Sequence, residues 1–404
     1  MIRRMRITNF RSFADAELTL EPLTVLIGPV GAGKSNVLKA VEFLRDAVSS
    51  QPIELFGPPP FDFWSVRNRA VSTSTEAIAV EVTMGDLRPF PGEEAEYRIE
   101  IAPTKDGPAI AREVLYRASG PGRPARCLFE RRLEGGVFAD LGAVGSADPS
   151  LLQQALFVPG ESDLAEFCAL LHDTLVDQRL FHLEASALRD LGHYLRAADQ
   201  GNPMAAIGGR GQGLVEALST LRHNPDTAEA YDGIVMQLRD VLPTLERLML
   251  VDTGPIAGVG FRHRGHDGYL SAFDASDGTL FTLGLLTILR QPRRPRLLMI
   301  EEPETGIHPR RLTWLVDQLQ DAAYPPDGSP GTQILISTHS PYLLDEFREM
   351  PEAVRIVEYV DGSTRVTPLT DALKRLGVDP ADVDEGFIDG PLGRRWYAGL
   401  LEEA

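Results

Sequence analysis

Gly28-Pro29-Val30-Gly31-Ala32-Gly33-Lys34-Ser35 carries the pattern G-x-x-x-x-G-K-S, and its flanks decide how it is read. Upstream, Leu23 to Ile27 is an apolar, β-branched run that predicts a strand. Downstream, Val37, Leu38, Val41, Leu44 and Val48 share one face of a predicted helix from about Ser35 to Val48. Strand, Gly-rich turn and helix form the setting in which this pattern holds phosphate. Glycines let main-chain N–H groups turn into one concavity, and the helix N-terminus adds its positive end. Lys34 would supply a point charge to the β/γ phosphates, and Ser35 a hydroxyl ligand for Mg²⁺. The alternative is a plain β–α turn with a surface lysine, and the motifs farther along weigh against it.

The chain has 404 residues, with 40 Lys plus Arg against 58 Asp plus Glu, so the formal charge is −18. Hydrophobic residues at 43% and charged residues at 24% are globular composition and exclude global disorder. The acidic balance argues against a protein that coats nucleic acid over its whole surface, though a local basic patch remains open. Cys127 and Cys168 are too few for a disulfide framework or an all-cysteine zinc site, which points to a reducing cytoplasm. The apolar run Leu280 to Leu289 is about half the ~20 residues of a membrane span, so no membrane association is expected. Arg3, Arg4, Arg6 and Arg11 make the N-terminus basic, but no apolar stretch of a secretory signal follows.

The order of elements predicts a split layout. Residues 1–75 form the first part of an α/β domain around the phosphate loop. Residues 76–150, with half-exposed runs such as Ile78–Val82 and Tyr97–Ile101, read as an antiparallel β-subdomain. Residues 151–255 read as a helical insert, with helical spacing over Leu164–Leu175, Leu214–Leu221 and Tyr231–Leu242. Residues 256–404 return to alternating strand and helix, which implies parallel sheet.

That last part holds two further motifs. Leu297-Leu298-Met299-Ile300-Glu301-Glu302-Pro303 is an apolar strand ending in two carboxylates, the end at which such sheets gather ligand chemistry. Glu301 is suited to hold Mg²⁺ and Glu302 to orient or deprotonate an attacking water, although an acidic surface turn would look the same in isolation. Gln333-Ile334-Leu335-Ile336-Ser337-Thr338-His339-Ser340-Pro341 is a second apolar strand, ending in hydroxyls and a histidine. His339 could hydrogen-bond a γ-phosphate or the water.

These motifs, in this order, resemble an ABC-type ATPase head. Ala275-Ser276-Asp277-Gly278-Thr279-Leu280 resembles the ABC signature loop, and as a helix start it is also an ordinary N-cap sequence. Ile7-Thr8-Asn9-Phe10-Arg11-Ser12-Phe13 matches the opening of the RecF/SMC branch. Ile300-Glu301-Glu302-Pro303-Glu304, Ser337-Thr338-His339-Ser340-Pro341 and the tail Gly390 to Leu400 look like stand-alone RecF-like and OLD-family ATPases of bacteria. The segment after the histidine motif is shorter than an OLD nuclease domain, so the resemblance is to members without one. Asp379, Asp382 and Asp384 in that segment read as a loop acid cluster rather than a nuclease site.

The resemblance implies a P-loop NTPase fold of ABC type with a mixed sheet, and ATP and Mg²⁺ as cofactors. It implies nucleotide contacts from Arg11, Gly28, Gly31, Gly33, Lys34, Ser35 and Asn36, with Ser276 and Gly278 contributed by a second copy. Ser35 and Glu301 would hold the metal, Glu302 would be the general base and His339 the γ-phosphate sensor. The expected behaviour is a homodimer that closes on ATP and acts as a switch on DNA or an effector protein, in DNA repair or anti-phage defence. A DNA clamp in which ATP controls grip, with Arg3, Arg4 and Arg6 or Arg293, Arg294 and Arg296 on phosphates, is one alternative. The sensor subunit of a toxin or defence system is another. Val30 departs from the Asn common in the loop, Glu301 stands where ABC proteins usually have Asp, and Gln153 and Gln154 are weak matches for the family's lid glutamine.

Overall fold

Alternating burial along the first two predicted strands builds a hairpin. In β1 (Ile2–Phe10), Met5 and Ile7 face the core, and in β2 (Phe13–Thr19), Phe13, Ala16 and Leu18 do the same. The two pair antiparallel, with Phe10 opposite Phe13; Asn9 near the end of β1 and Arg11 in the turn hold positive φ (58° and 48°). In this computed structural model the described residues are 1–57, 62–69, 77–120, 123–132, 135–138, 142–144, 149–157, 163–190, 192–193, 207–252, 256–291, 293–378, 392–399 and 401. Asp379, Asp382, Asp384 and the tail positions Gly390, Pro391 and Leu400 lie outside them.

The chain divides into two compact units. The first comprises residues 1–178 and 347–404, the second 179–346. In the first, β3 (Leu23–Ile27) is buried along its whole length and feeds the phosphate loop, which opens α1 (Lys34–Ser49). The predicted apolar stripe of α1 is buried at Val37, Leu38, Val41, Leu44 and Val48. An aromatic chain runs from Phe10 through Phe43 and Phe56 to Phe63 at the start of α2 (Phe63–Val66), with ring centroids 5.3 to 6.1 Å apart. It seats the β1–β2 turn on α1.

The sheet grows from β1 through β4 (Ile78–Met84), β5 (Glu94–Thr104), β6 (Gly107–Ala118), β7 (Arg126–Arg132), β8 (Gly135–Phe138) and β9 (Gly142–Val144), each antiparallel to the last. A buried polar knot ties it to α3 (Leu151–Gln154). The Glu113 carboxylate accepts from the Leu151 and Leu152 amides (2.8 and 3.2 Å) and from the Tyr97 hydroxyl (2.9 Å). Burial nonetheless raises the Glu113 pKa above the ordinary carboxyl value. The α4 helix (Asp163–Val176) follows, with Phe167, Leu171 and Leu175 buried.

The second unit is entered through β10 (Gln178–Phe181) and α5 (Ala185–Leu188). A small antiparallel sheet, in the order β11 (Gly192–His193), β13 (Ile256–His263), β12 (Leu245–Asp252), carries β14 (Leu270–Ser271) on β13. Helices α6 (Leu214–His223) and α7 (Ala228–Val241) precede β12, and α8 (Asp277–Arg290) is buried at Leu280 and from Thr282 through Leu289. The acidic strand is β15 (Leu297–Glu301). After α9 (Leu312–Ala323) the histidine strand is β16 (Gln333–Thr338), parallel to β15 with Glu301 opposite Ser337. β10 lies on the other side of β15. Helix α10 (Pro341–Asp345) starts at Ser340, whose hydroxyl caps the Leu343 amide.

The chain then returns to the first unit. β17 (Val354–Val360) runs parallel to β3 and antiparallel to β18 (Ser363–Pro368), which makes the sheet mixed. Helices α11 (Leu369–Arg375) and α12 (Leu392–Tyr397) complete the described elements.

Candidate functional site

The phosphate loop is shaped by glycines whose requirements differ. Gly31 (φ 84°) and Gly33 (φ 109°) hold left-handed backbone that other residues adopt at a cost. A Cβ on Gly31 would meet nothing within 4 Å, so the loop is open on that side. A Cβ on Gly28 would stand 2.1 Å from the Val357 carbonyl oxygen, so Gly28 is needed for packing against β17. A Cβ on Gly33 would stand 2.2 Å from Thr364 Oγ1 and 2.9 Å from Ser12 Oγ. Those two hydroxyls lie 2.7 Å apart, Thr364 Oγ1 is also 2.8 Å from the Ala32 carbonyl, and Asn36 Nδ2 donates to Ser12 Oγ (2.8 Å). The NFRSF turn and the β17–β18 hairpin thus brace the loop from beneath through Ser12 and Thr364.

Lys34 is buried at 8% exposure, and its ammonium donates to the Gly28 and Pro29 carbonyls (2.7 and 2.9 Å). A buried ammonium must be paired or solvated by dipoles, and here the loop's own carbonyls hold it. Ser35 is exposed at the start of α1, and so is Val30, at 88%. Arg11 is exposed in the turn beside Ser12, with its guanidinium 5.7 Å from the Phe10 ring centre. These features fit a polyphosphate: a concave glycine loop, a preplaced ammonium and an exposed hydroxyl at a helix start.

In the second unit the two carboxylates of the acidic strand are each joined to an imidazole. Glu302 Oε1 lies 2.9 Å from His339 Nδ1, and Glu301 Oε2 lies 3.2 Å from His182 Nδ1. Glu302 holds positive φ (48°), fixed by its amide donating to Ser337 O (2.8 Å) and its carbonyl accepting from Thr305 N (3.0 Å). That backbone costs about 1–2 kcal/mol and turns the side chain towards His339 rather than along the strand. Pro303 then leads to Glu304, which accepts from Thr338 Oγ1 while its other oxygen is buried without a hydrogen-bond partner. Burial raises the Glu304 pKa. Glu301, Glu302 and His339 therefore gather at one sheet edge. His182, Thr338 and Glu304 join them, and no spacing in the sequence marks His182.

Ser276 is the N-cap of α8, its hydroxyl accepting from the Thr279 amide (3.2 Å). Arg189 grips the neighbouring Asp277 and donates to the Ala275 carbonyl (3.0 Å). A Cβ on Gly278 would stand 2.2 Å from the Gly306 carbonyl oxygen, so close packing alone requires glycine there. Gln153 and Gln154 are committed to the main chain, donating to Ser49 O (3.2 Å) and Pro149 O (2.8 Å). The N-terminal arginines face acids across strands: Arg3 meets Asp86 and Glu94, Arg4 meets Glu17 and Glu96, and Arg6 meets Asp15. Among the described residues no group of three or more His, Cys, Asp or Glu is gathered to hold a metal unaided. A Mg²⁺ ion here would draw its remaining ligands from phosphate and water, the usual arrangement for that ion. None of the described helices is long and apolar enough to cross a membrane.

Known proteins resemble the chain in sequence and in fold. Residues 172–345 match the family described as "AAA domain, putative AbiEii toxin, Type IV TA system", and residues 1–90 match "AAA ATPase domain". The OLD nuclease of Thermus scotoductus is 24% identical over 88% of this chain, and the Old nuclease of Escherichia phage P2 is 20% identical over 92%. The chain spans 62% and 61% of their respective lengths. The DNA replication and repair protein RecF of Beutenbergia cavernae is 29% identical over 28% of each chain. In fold, the Smc head bound to the C-terminal winged-helix domain of ScpA superposes with a TM-score of 0.51 at 11% identity, covering 92% of this chain and 99% of that one. The fold is that of a P-loop ATPase of ABC type, and the sequence is similar to AAA ATPase domains, to the OLD nucleases and, over a shorter stretch, to RecF.

Proposed function

We propose that the protein binds and hydrolyses MgATP as a molecular switch, two copies closing on the nucleotide and parting after hydrolysis. The observation that supports this most is the buried Lys34 ammonium, held by carbonyls inside a left-handed glycine loop. In this reading the loop amides and Lys34 bind the β/γ phosphates, assisted by Gly28, Gly31, Gly33, Arg11 and Asn36. Ser35 and Glu301 would hold Mg²⁺, which would supply charge neutralisation for the transferring phosphoryl group. Glu302 accepts the proton of the attacking water as the bond to the β-phosphate oxygen breaks, giving ADP and phosphate. His339, whose Nδ1 faces Glu302, offers its other nitrogen to the γ-phosphate. Ser276 and Gly278 of a second copy cap that phosphate.

The output falls on DNA or an effector protein in the cytoplasm. The acids opposite Arg3, Arg4 and Arg6 leave little net charge there for DNA phosphates. A second reading is the sensor subunit of a toxin or defence system whose effector is a separate chain; the matched family description mentions a toxin–antitoxin system.

Thermal melting with MgATP tests the core of this. At a hundredfold excess over Kd, bound nucleotide stabilises by ~2.7 kcal/mol. For the 236-residue unit made of residues 1–178 and 347–404, that is a shift of about 5–11 °C. Lys34→Ala should lose most of that shift. An undiminished shift in the variant would remove the basis of the proposal.

A further inference from the structure

His182 follows β10, the strand beside the acidic strand β15, and its Nδ1 lies 3.2 Å from Glu301 Oε2. The Glu301 side chain is only 17% exposed, whereas His182 is 54% exposed. The pair stands at ion-pair distance, so the imidazole ring lies directly against one oxygen of the carboxylate. The main chain around His182 is fixed as well: its amide donates to Gly209 O (2.7 Å), and Glu184 N donates to Arg210 O (2.9 Å). Nearby, Gly211 holds φ 107°, and a Cβ there would stand 2.7 Å from Leu188 Cδ2. The Gly208–Gly213 stretch therefore seats the His182 backbone, and His182 in turn restrains one oxygen of Glu301.

We infer that His182 is a positioning residue for Glu301, orienting its carboxylate for the divalent cation that accompanies the nucleotide. The inference rests on the metal role proposed above for Glu301. Groups that orient a metal-binding carboxylate typically change metal affinity by about 10- to 100-fold when removed. His182 is too exposed for its loss to open a core cavity, so the effect falls on the metal rather than on folding.

The experiment measures Mn²⁺ affinity by electron paramagnetic resonance in the presence of ADP, together with ATP binding in EDTA. His182→Ala should weaken Mn²⁺ about tenfold and leave metal-free ATP binding unchanged. His182→Asn, which can put an amide N–H near the position of Nδ1, should recover most of the loss. In steady-state hydrolysis the same alanine variant should raise the Mg²⁺ concentration needed for half-maximal rate more than it lowers the saturated rate. Mn²⁺ affinity in His182→Ala within twofold of wild type would overturn the inference, and so would an asparagine variant as weak as the alanine one. Glu301→Gln separates the two claims: if it too leaves Mn²⁺ binding unchanged, the metal role of Glu301 fails; if it alone weakens binding, only the role of His182 fails.

Discussion

Gly33→Ala tests whether the phosphate loop is braced from below as described. Two costs add. At φ 109° the alanine occupies left-handed backbone, for about 1–2 kcal/mol. Its Cβ would also stand 2.2 Å from Thr364 Oγ1, where ordinary contact begins near 3.4 Å, so β18 must retreat by about 1.2 Å. That retreat breaks the Thr364 contacts to Ser12 Oγ and Ala32 O, for about 1–3 kcal/mol more. A total near 3 kcal/mol lowers the melting temperature of a 236-residue unit by roughly 6–12 °C. Thr364→Ala removes the obstructing atoms but not the backbone strain. The double variant should therefore be less destabilised than the sum of the singles by about 1–2 kcal/mol, the size of coupling seen between touching residues. Circular-dichroism melts of the four proteins give the cycle. Strict additivity would show that Thr364 does not bear on Gly33, and a Gly33→Ala protein melting like wild type would refute both terms.

Two other outcomes follow from the second unit. Glu302→Gln should bind MgATP yet stop at the closed state, so light scattering should show a nucleotide-dependent dimer; monomers at saturating ATP would count against the switch. For Glu304, burial raises the folded-state pKa, so its contribution to stability is fully present below the unfolded carboxyl's pKa and is lost as pH rises through the folded value. Wild type should consequently lose more melting temperature between pH 5 and pH 8 than Glu304→Gln does, and parallel curves would contradict the assignment.

The sequence made local features readable and left distant ones hidden. The phosphate loop, α1, β15, β16 and the start of α8 each sit in one continuous stretch whose periodicity and punctuation are strong. Glu302 and His339 could be nominated because each ends an apolar run. His182 could not, because β10 is four residues long and a lone histidine after it has no partner within reach along the chain. The packing reason for Gly278 was hidden for a similar cause: its neighbour is Gly306, 28 positions away, and a helix N-cap is sufficient to explain the local sequence. The basic N-terminus looked like a charged face when read alone. The acids that face it come from the hairpin partner and from positions about 80 to 90 residues on, beyond any window that reads composition.

The hydroxyl beneath Gly33 belongs to a residue 332 positions after Ala32, and the contact joins two ends of the same unit. At a translation rate of about 5–20 residues per second, roughly 17–66 s separate the emergence of these two segments. A nascent chain on the ribosome has its glycines and its lysine long before the threonine that seats them. The braced loop thus forms late in biosynthesis, and a polypeptide stalled before residue 364 carries the motif without its brace.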